Sequence, residues 1–242
     1  WSTYHALTGK LERRFSDGLF FNFNYTFSKT MDDASAPGGT SFESNLPQNV
    51  SDLPSEKALA SFHHTHQFTA SYTYQLPLEK IQNIFKEHNW ISTIFSQWKM
   101  TGILTLQSGA PFTINTTSDP ANIGTGPAQR PNYLQNSNLP NNQRDPVRWF
   151  NIDAFALPSS HTFGTLGRNT VFSPGLKNFD FSLIKNINLK DLYSVQFRAE
   201  FFNLFNTPNF DIPNRFAFTS NFGRIFSAGF SRQIQFGLKL AF

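Results

Sequence analysis

Seven stretches of this chain place an apolar side chain on every second residue. Period two marks a strand whose two faces meet different surroundings. The pattern is cleanest from Leu19 to Ser28, where Phe21, Phe23, Tyr25 and Phe27 alternate with Asn22, Asn24, Thr26 and Ser28. The other stretches are Tyr4 to Arg13, Gln67 to Leu76, Trp98 to Gln107, a run through Phe179, Phe181 and Leu183, a run through Val195, Phe197, Ala199 and Phe201, and the closing Gln233 to Phe242. Between the first two, Phe15-Ser16-Asp17-Gly18 predicts a tight turn, with glycine supplying a positive φ. Pro77 ends the third, because proline has no amide hydrogen for a ladder.

The connections alternate in length. Short ones follow the first strand and the fifth, the latter around Lys190-Asp191, and a medium one covers residues 78–97. Long ones occupy residues 29–64, 108–176 and 203–231. Within the medium connection, Ile81, Ile84 and Phe85 suit a short helix or an interfacial turn. Transmembrane barrels have this rhythm, with short periplasmic turns and longer exterior loops. If the closing strand descends to the periplasm, every long connection lies outside.

Composition removes several other classes. Of the 242 residues 29 are Phe while only 15% are charged, which is unusual for a soluble core. No apolar run approaches the roughly 18 residues of a spanning helix, a limit that does not apply to barrel strands. There is no cysteine for a disulfide, a zinc thiolate or a thiol nucleophile. A net charge of +4 without a Lys/Arg run argues against nucleic acid as a partner. The opening WSTYHALTGK has neither an initiator Met nor a signal peptide, so a mature chain or a fragment of a longer one is expected.

A sandwich core mixes side-chain sizes to interdigitate. Four successive aromatics on one face suit a fluid solvent instead, so the apolar face is expected to meet lipid and the polar face a lumen. The predicted fold class is all-β, an antiparallel transmembrane β-barrel segment of about seven strands with long extracellular loops. Seven strands leave two edges unpaired in lipid, so residues 1–242 are expected to be the C-terminal part of a larger barrel.

The run from Phe179 to Lys185 and that from Val195 to Phe210 resemble the end of TonB-dependent outer-membrane receptors. They are most similar to the Oar-like group, which carries an N-terminal carboxypeptidase-regulatory-like domain. LERRFSDGLFFNFNYTFSK, Ser108-Gly109-Ala110-Pro111-Phe112 and the closing FGLKLAF are also similar. The resemblance spans nearly the whole chain and is weakest in the loops. It implies a barrel of about 22 strands around a plug, located in the bacterial outer membrane, that takes up a scarce ligand with energy from TonB. A carbohydrate, a peptide and a metal chelate all remain open as ligands. The plug, the TonB-contacting box and the N-terminal domains have no counterpart in these residues. Implied partners are outer-membrane lipid and lipopolysaccharide, with TonB and the plug in the full-length protein. The barrel assembly machinery is a further implied partner, reading a C-terminal signal of Phe236, Leu238, Leu240 and Phe242.

Individual side chains add less. His63, His64 and His66 cluster where a long loop meets the third strand, and His64 and His66 are the pair whose spacing would let them converge on a metal. A polar rim above the lipid band accounts for them more simply, so neither a metal nor any other cofactor is expected. Asp180, Arg198 and Glu200 should all face the lumen, and pairing around Lys190 would join them in an ion-pair network. Asp32, Asp33, Glu43, Asp52 and Glu56 in the first long loop read as solvated acids. No catalytic fingerprint occurs, so an enzyme is not expected. Alternatives are a self-contained small outer-membrane barrel, adhesin-like or lipase-like, and a secreted β-sandwich binding module.

Overall fold

The computed structural model describes residues 1–35, 42–44, 46–77, 96–189 and 193–242. Its frame is an antiparallel sheet of seven long strands: β1 (Ser2–Ser16), β2 (Leu19–Asp32), β3 (His66–Gln75), β4 (Trp98–Gln107), β5 (Leu176–Leu189), β6 (Tyr193–Phe202) and β7 (Gln233–Ala241). Each pairs with its neighbours in sequence, so the order across the sheet is the order along the chain, and β1 and β7 form open edges. A two-residue strand, Ala58–Leu59, extends the sheet at Met31 and Asp32. Among the described residues there is no α-helix.

The strands fall where the alternation places them. The first turn is Asp17-Gly18, with φ of 51° and 77°, the Asp-Gly hairpin whose twist matches its strands. β1, β2 and β5 run to 15, 14 and 14 residues, beyond the roughly 9–11 that cross a bilayer. The surplus of β2 lies at the long-loop end, where Ser28, Thr30 and Asp32 are buried beneath the loops. The expected helix near Ile81 and the expected turn at Lys190-Asp191 fall outside the described residues.

Register keeps the two faces separate across the sheet. One row runs Leu11, Phe23, Ala70, Leu104 and Phe179, and the adjacent row runs Lys10, Asn24, Thr69, Thr105 and Asn178. The apolar face continues over β6 and β7, where Phe197 opposes Leu238 and Val195 opposes Leu240. Among the described residues nothing covers it: Leu7 is 70% exposed, Phe236 68% and Leu238 76%. A sandwich would bury this face against a second sheet, so its partner is lipid, and each side chain so buried contributes about 1.5–3 kcal/mol. Cations stand on this face by register at Arg13 opposite Phe21, Lys29 opposite His5, Lys177 opposite Leu106, and Lys185. Lys185 lies opposite Trp98 and Phe197, its Nζ bonded to the Ser96 carbonyl and 5.6 Å from the Trp98 ring centre. Its alkyl stem covers apolar surface while the head finds a polar partner.

The long connections pack into a layer at one end of the sheet. Its core is Phe112, Ile114, Phe150, Ala154, Phe155, Leu166, Val171, Ala217 and Phe222, none more than 9% exposed. Phe150 makes edge contacts with Phe155 and Phe222, at centroid distances of 6.0 and 5.1 Å. Phe216–Ala217 from the third connection pairs in parallel with Asn115–Thr116 of the second. The conventional protein core therefore lies in the loops and not in the sheet.

The second connection leaves β4 and re-enters β5 through a narrow neck. A Cβ on Gly109 would overlap the Ser173 carbonyl, and one on Gly175 would overlap the Gln107 carbonyl. Backbone cannot retreat as a side chain can, so Gly109→Ala should destabilise the loop layer by about 1–3 kcal/mol or more. Limited proteolysis of membrane-inserted protein should show faster cleavage within residues 108–175 while heat-modifiable migration of the sheet persists. Unchanged cleavage would contradict the neck's role.

Candidate functional site

Three of the first loop's five acids are not solvated as the sequence suggests. Asp32, Glu43 and Glu56 are each 3% exposed, and two arginines from the second connection hold them. Arg168 reaches Asp32, Glu43 at 2.7 Å, the Glu56 carbonyl at 2.9 Å and Ser35 Oγ at 3.1 Å. Arg130 makes two parallel bonds to Glu56, of 2.7 and 3.0 Å. Asn169 donates to Glu43 and to the Leu59 carbonyl, and Gln48 links Glu56, Arg130 and Gly164. Burial alone would lower the Arg168 pKa, but its hydrogen bond to Asp32 and the attraction of Glu43 outweigh it and the pKa is raised. The network staples the end of β2 to both loops. Asp33 and Asp52 remain at the surface.

The three histidines take separate tasks. His63 is buried and accepts from the Thr30 amide at Nδ1, which leaves its proton on Nε2, 3.1 Å from Thr65 Oγ1. Burial, then His64 and Lys29, lower its pKa below the ordinary value of 6.5. His64 donates from Nδ1 to the Ser108 carbonyl at 2.7 Å. His66 opens β3 on the apolar face opposite Phe27, with Nδ1 2.8 Å from the Tyr25 hydroxyl. The Nδ1 atoms of His64 and His66 are thus committed to different partners.

Asp180, Arg198 and Glu200 share the lumen face but do not form the expected network. Ser182 lies opposite Glu200 and Ile184 opposite Arg198, which leaves Asp180 four residues along β5 from Arg198's partner. Asp180 instead accepts from Asn178 and the Asn203 amide, and Arg198 donates to Gln196. Parity fixes the face of a strand residue, whereas a shift of two changes its partner without changing its face. At the edge, the outward side chains of β7 and the chain end stay uncovered, with Phe236 at 68%, Leu238 at 76%, Leu240 at 59% and Phe242 at 93%.

A cavity of about 530 Å³ opens where the loop layer meets the lumen face. All three long connections reach it: Ser61, Phe62 and His64 from the first, Ser108, Ala110, Ser173 and Pro174 from the second, and Phe210, Asp211 and Ile212 from the third. Gln107 and Leu176, opposed across β4 and β5, form its floor. Such a concave site with a few polar groups among apolar walls suits a small ligand. Sequence reading missed it because its lining comes from short pieces far apart in the chain. A smaller cavity of about 250 Å³ lies over Arg168, whose donors are already engaged.

An antiparallel sheet of consecutively paired long strands, with a bare apolar face, a polar opposite face and long loops at one end, defines a transmembrane β-barrel wall. A family model for the outer membrane beta barrel domain matches residues 1–235, and the chain belongs to that family. The protein accordingly resides in the bacterial outer membrane. Comparison with curated proteins and with solved structures gives no match.

Removing the Arg168 guanidinium strands two buried carboxylates, and loss of one partner of such a pair costs about 3–5 kcal/mol. Arg168→Ala should therefore loosen the loop layer, read as rapid proteolysis within residues 42–64 and 108–175 of inserted protein. The His63 contribution is fully present above the ordinary pKa of 6.5 and is lost as pH falls below it toward the depressed folded value, because the unfolded chain takes up the proton first. Proteolytic susceptibility of the loop layer should rise from about pH 7 to about pH 5 in the native protein. In His63→Gln that rise should be smaller.

Proposed function

We propose that this chain forms part of the barrel wall and the exterior ligand surface of a TonB-dependent outer-membrane receptor of the Oar-like group. The carrying observation is the cavity at the loop end, which all three long connections build together above the lumen face. A barrel wall serving only as an anchor does not require its loops to share a hydrophobic core and a buried ion-pair network. Loops held this rigidly present a fixed surface to a ligand, which lowers the ordering cost of binding. The resemblance at Val195 to Phe210 supplies the TonB-dependent class.

The reading is of a binder and conduit, not an enzyme. His64 is bonded to the carbonyl of Ser108 and not to its hydroxyl, so this pair is not an activated serine. The outward apolar face meets membrane lipid and lipopolysaccharide. The outward row Phe236, Leu238, Leu240 and Phe242 is the surface assigned to the barrel assembly machinery. TonB and the plug act on the full-length protein.

Deleting the gene for this protein and deleting the gene for TonB, each in the native bacterium, should abolish growth on the same nutrient. Growth profiling across a nutrient panel checks this. A nutrient lost with this gene but still used without TonB would sink the reading.

A further inference from the structure

The groups around the loop-end cavity narrow its ligand chemistry. Ser61 is 4% exposed, and its hydroxyl has no partner among the described residues although it lines the cavity. The Gln107 carboxamide and the Asp211 carboxylate are likewise without partners among the described residues. His64, committed through Nδ1–H to Ser108, keeps Nε2 as an acceptor. The site thus offers the Ser61 hydroxyl, the O–H of Ser108, whose oxygen accepts from the His66 amide, one amide, one imidazole acceptor and one carboxylate, and acceptor lone pairs outnumber donors.

No Lys or Arg is among the described residues lining it. The nearby network cannot lend a cation, because the Arg168 donors are bound to Asp32, Glu43, Ser35 and the Glu56 carbonyl. A carboxylate without a counter-cation repels an anionic ligand in a partly enclosed cleft. A wholly apolar ligand would strip water from Ser61, Gln107 and Asp211 and return no hydrogen bonds. The ligand must therefore bring several hydrogen-bond donors without negative charge. It must also present flat apolar faces, since Phe62 is 58% exposed and Phe210 and Ile212 line the same space. Hydroxyls that both donate and accept, set around a ring with C–H faces, meet all of these demands.

We propose that the cavity binds a neutral oligosaccharide, with ring faces against Phe62 and Phe210 and hydroxyls on Ser61, Gln107 and Asp211. As the substrate class of the receptor, this rests on the uptake reading above, whereas the binding itself does not. The volume of about 530 Å³ lies within the range of small-ligand sites.

The test uses the full-length protein in detergent micelles and isothermal titration. The neutral probes are maltohexaose, cellohexaose and xylohexaose, the acidic probe is an oligogalacturonate hexamer, and the peptide probe is hexa-alanine. At least one neutral hexasaccharide should bind saturably, and Gln107→Ala, Asp211→Asn and Phe62→Ala should each weaken it by about tenfold. Phe62→Trp should keep or tighten binding, and Val147→Ala, at an exposed loop position outside the cavity, should leave it unchanged. Heat-modifiable migration checks that each variant is folded. Tighter binding of the acidic or peptide probe, no binding of any neutral hexasaccharide, or binding that ignores the three variants would each overturn the proposal. The titration needs no energy source, so the two readings fail separately. Sugar binding with growth independent of TonB strikes the uptake reading alone, and TonB-dependent growth on a nutrient other than a sugar strikes the ligand class alone.

Discussion

Hydrocarbon offers no hydrogen bonds to a peptide group, so every amide and carbonyl that crosses the membrane must find its partner within the protein. The rest of this architecture follows from that constraint. The ladder is continuous from the pairing of Ser2 with Asp32 to that of Ser194 with Ala241. Its register is strictly specified, since a slip of one residue would turn Asn22 and Asn24 toward lipid and Phe21 and Phe23 toward the lumen. The same constraint applies to the outer sides of β1 and β7, which have no neighbour in this sheet.

A sheet with lipid on one face and a lumen on the other cannot supply an ordinary core. The chain concentrates its tight packing in the loop layer, where nine buried apolar residues cluster around Phe150. Charges there serve a different purpose from the aromatics. A buried ion pair adds little net stability once desolvation is counted, but it tolerates few alternative arrangements. Asp32 ends β2, so its bonds to Arg168 fix the loop layer to the sheet.

The strands were legible because each of their faces meets one uniform environment, which writes a period of two directly into the residues. The Asp17-Gly18 turn was legible for a local reason, the need for positive φ. The loop layer was not. Arg168 lies 136 positions from Asp32 and 125 from Glu43, so nothing near those acids announces that they are buried. Polar composition suggested solvent where there are in fact satisfied hydrogen bonds. Asp180, Arg198 and Glu200 mark the boundary between the two cases. Their common face follows from parity, but their partners depend on a register that the sequence around Lys190 does not determine.

The neck formed by Gly109 and Gly175 separates two parts of one chain that can change independently. Ser173 and Ala110 bond to each other across it, and Pro111–Phe112 pairs with Val171–Phe172 just above, so the second connection is already closed on itself before it spreads out. Substitutions, insertions or exchange beyond that point leave the ends at β4 and β5 where they were. Selection can rework the exterior face of the loop layer while the membrane wall stays constant, so a changed exterior surface needs no new barrel.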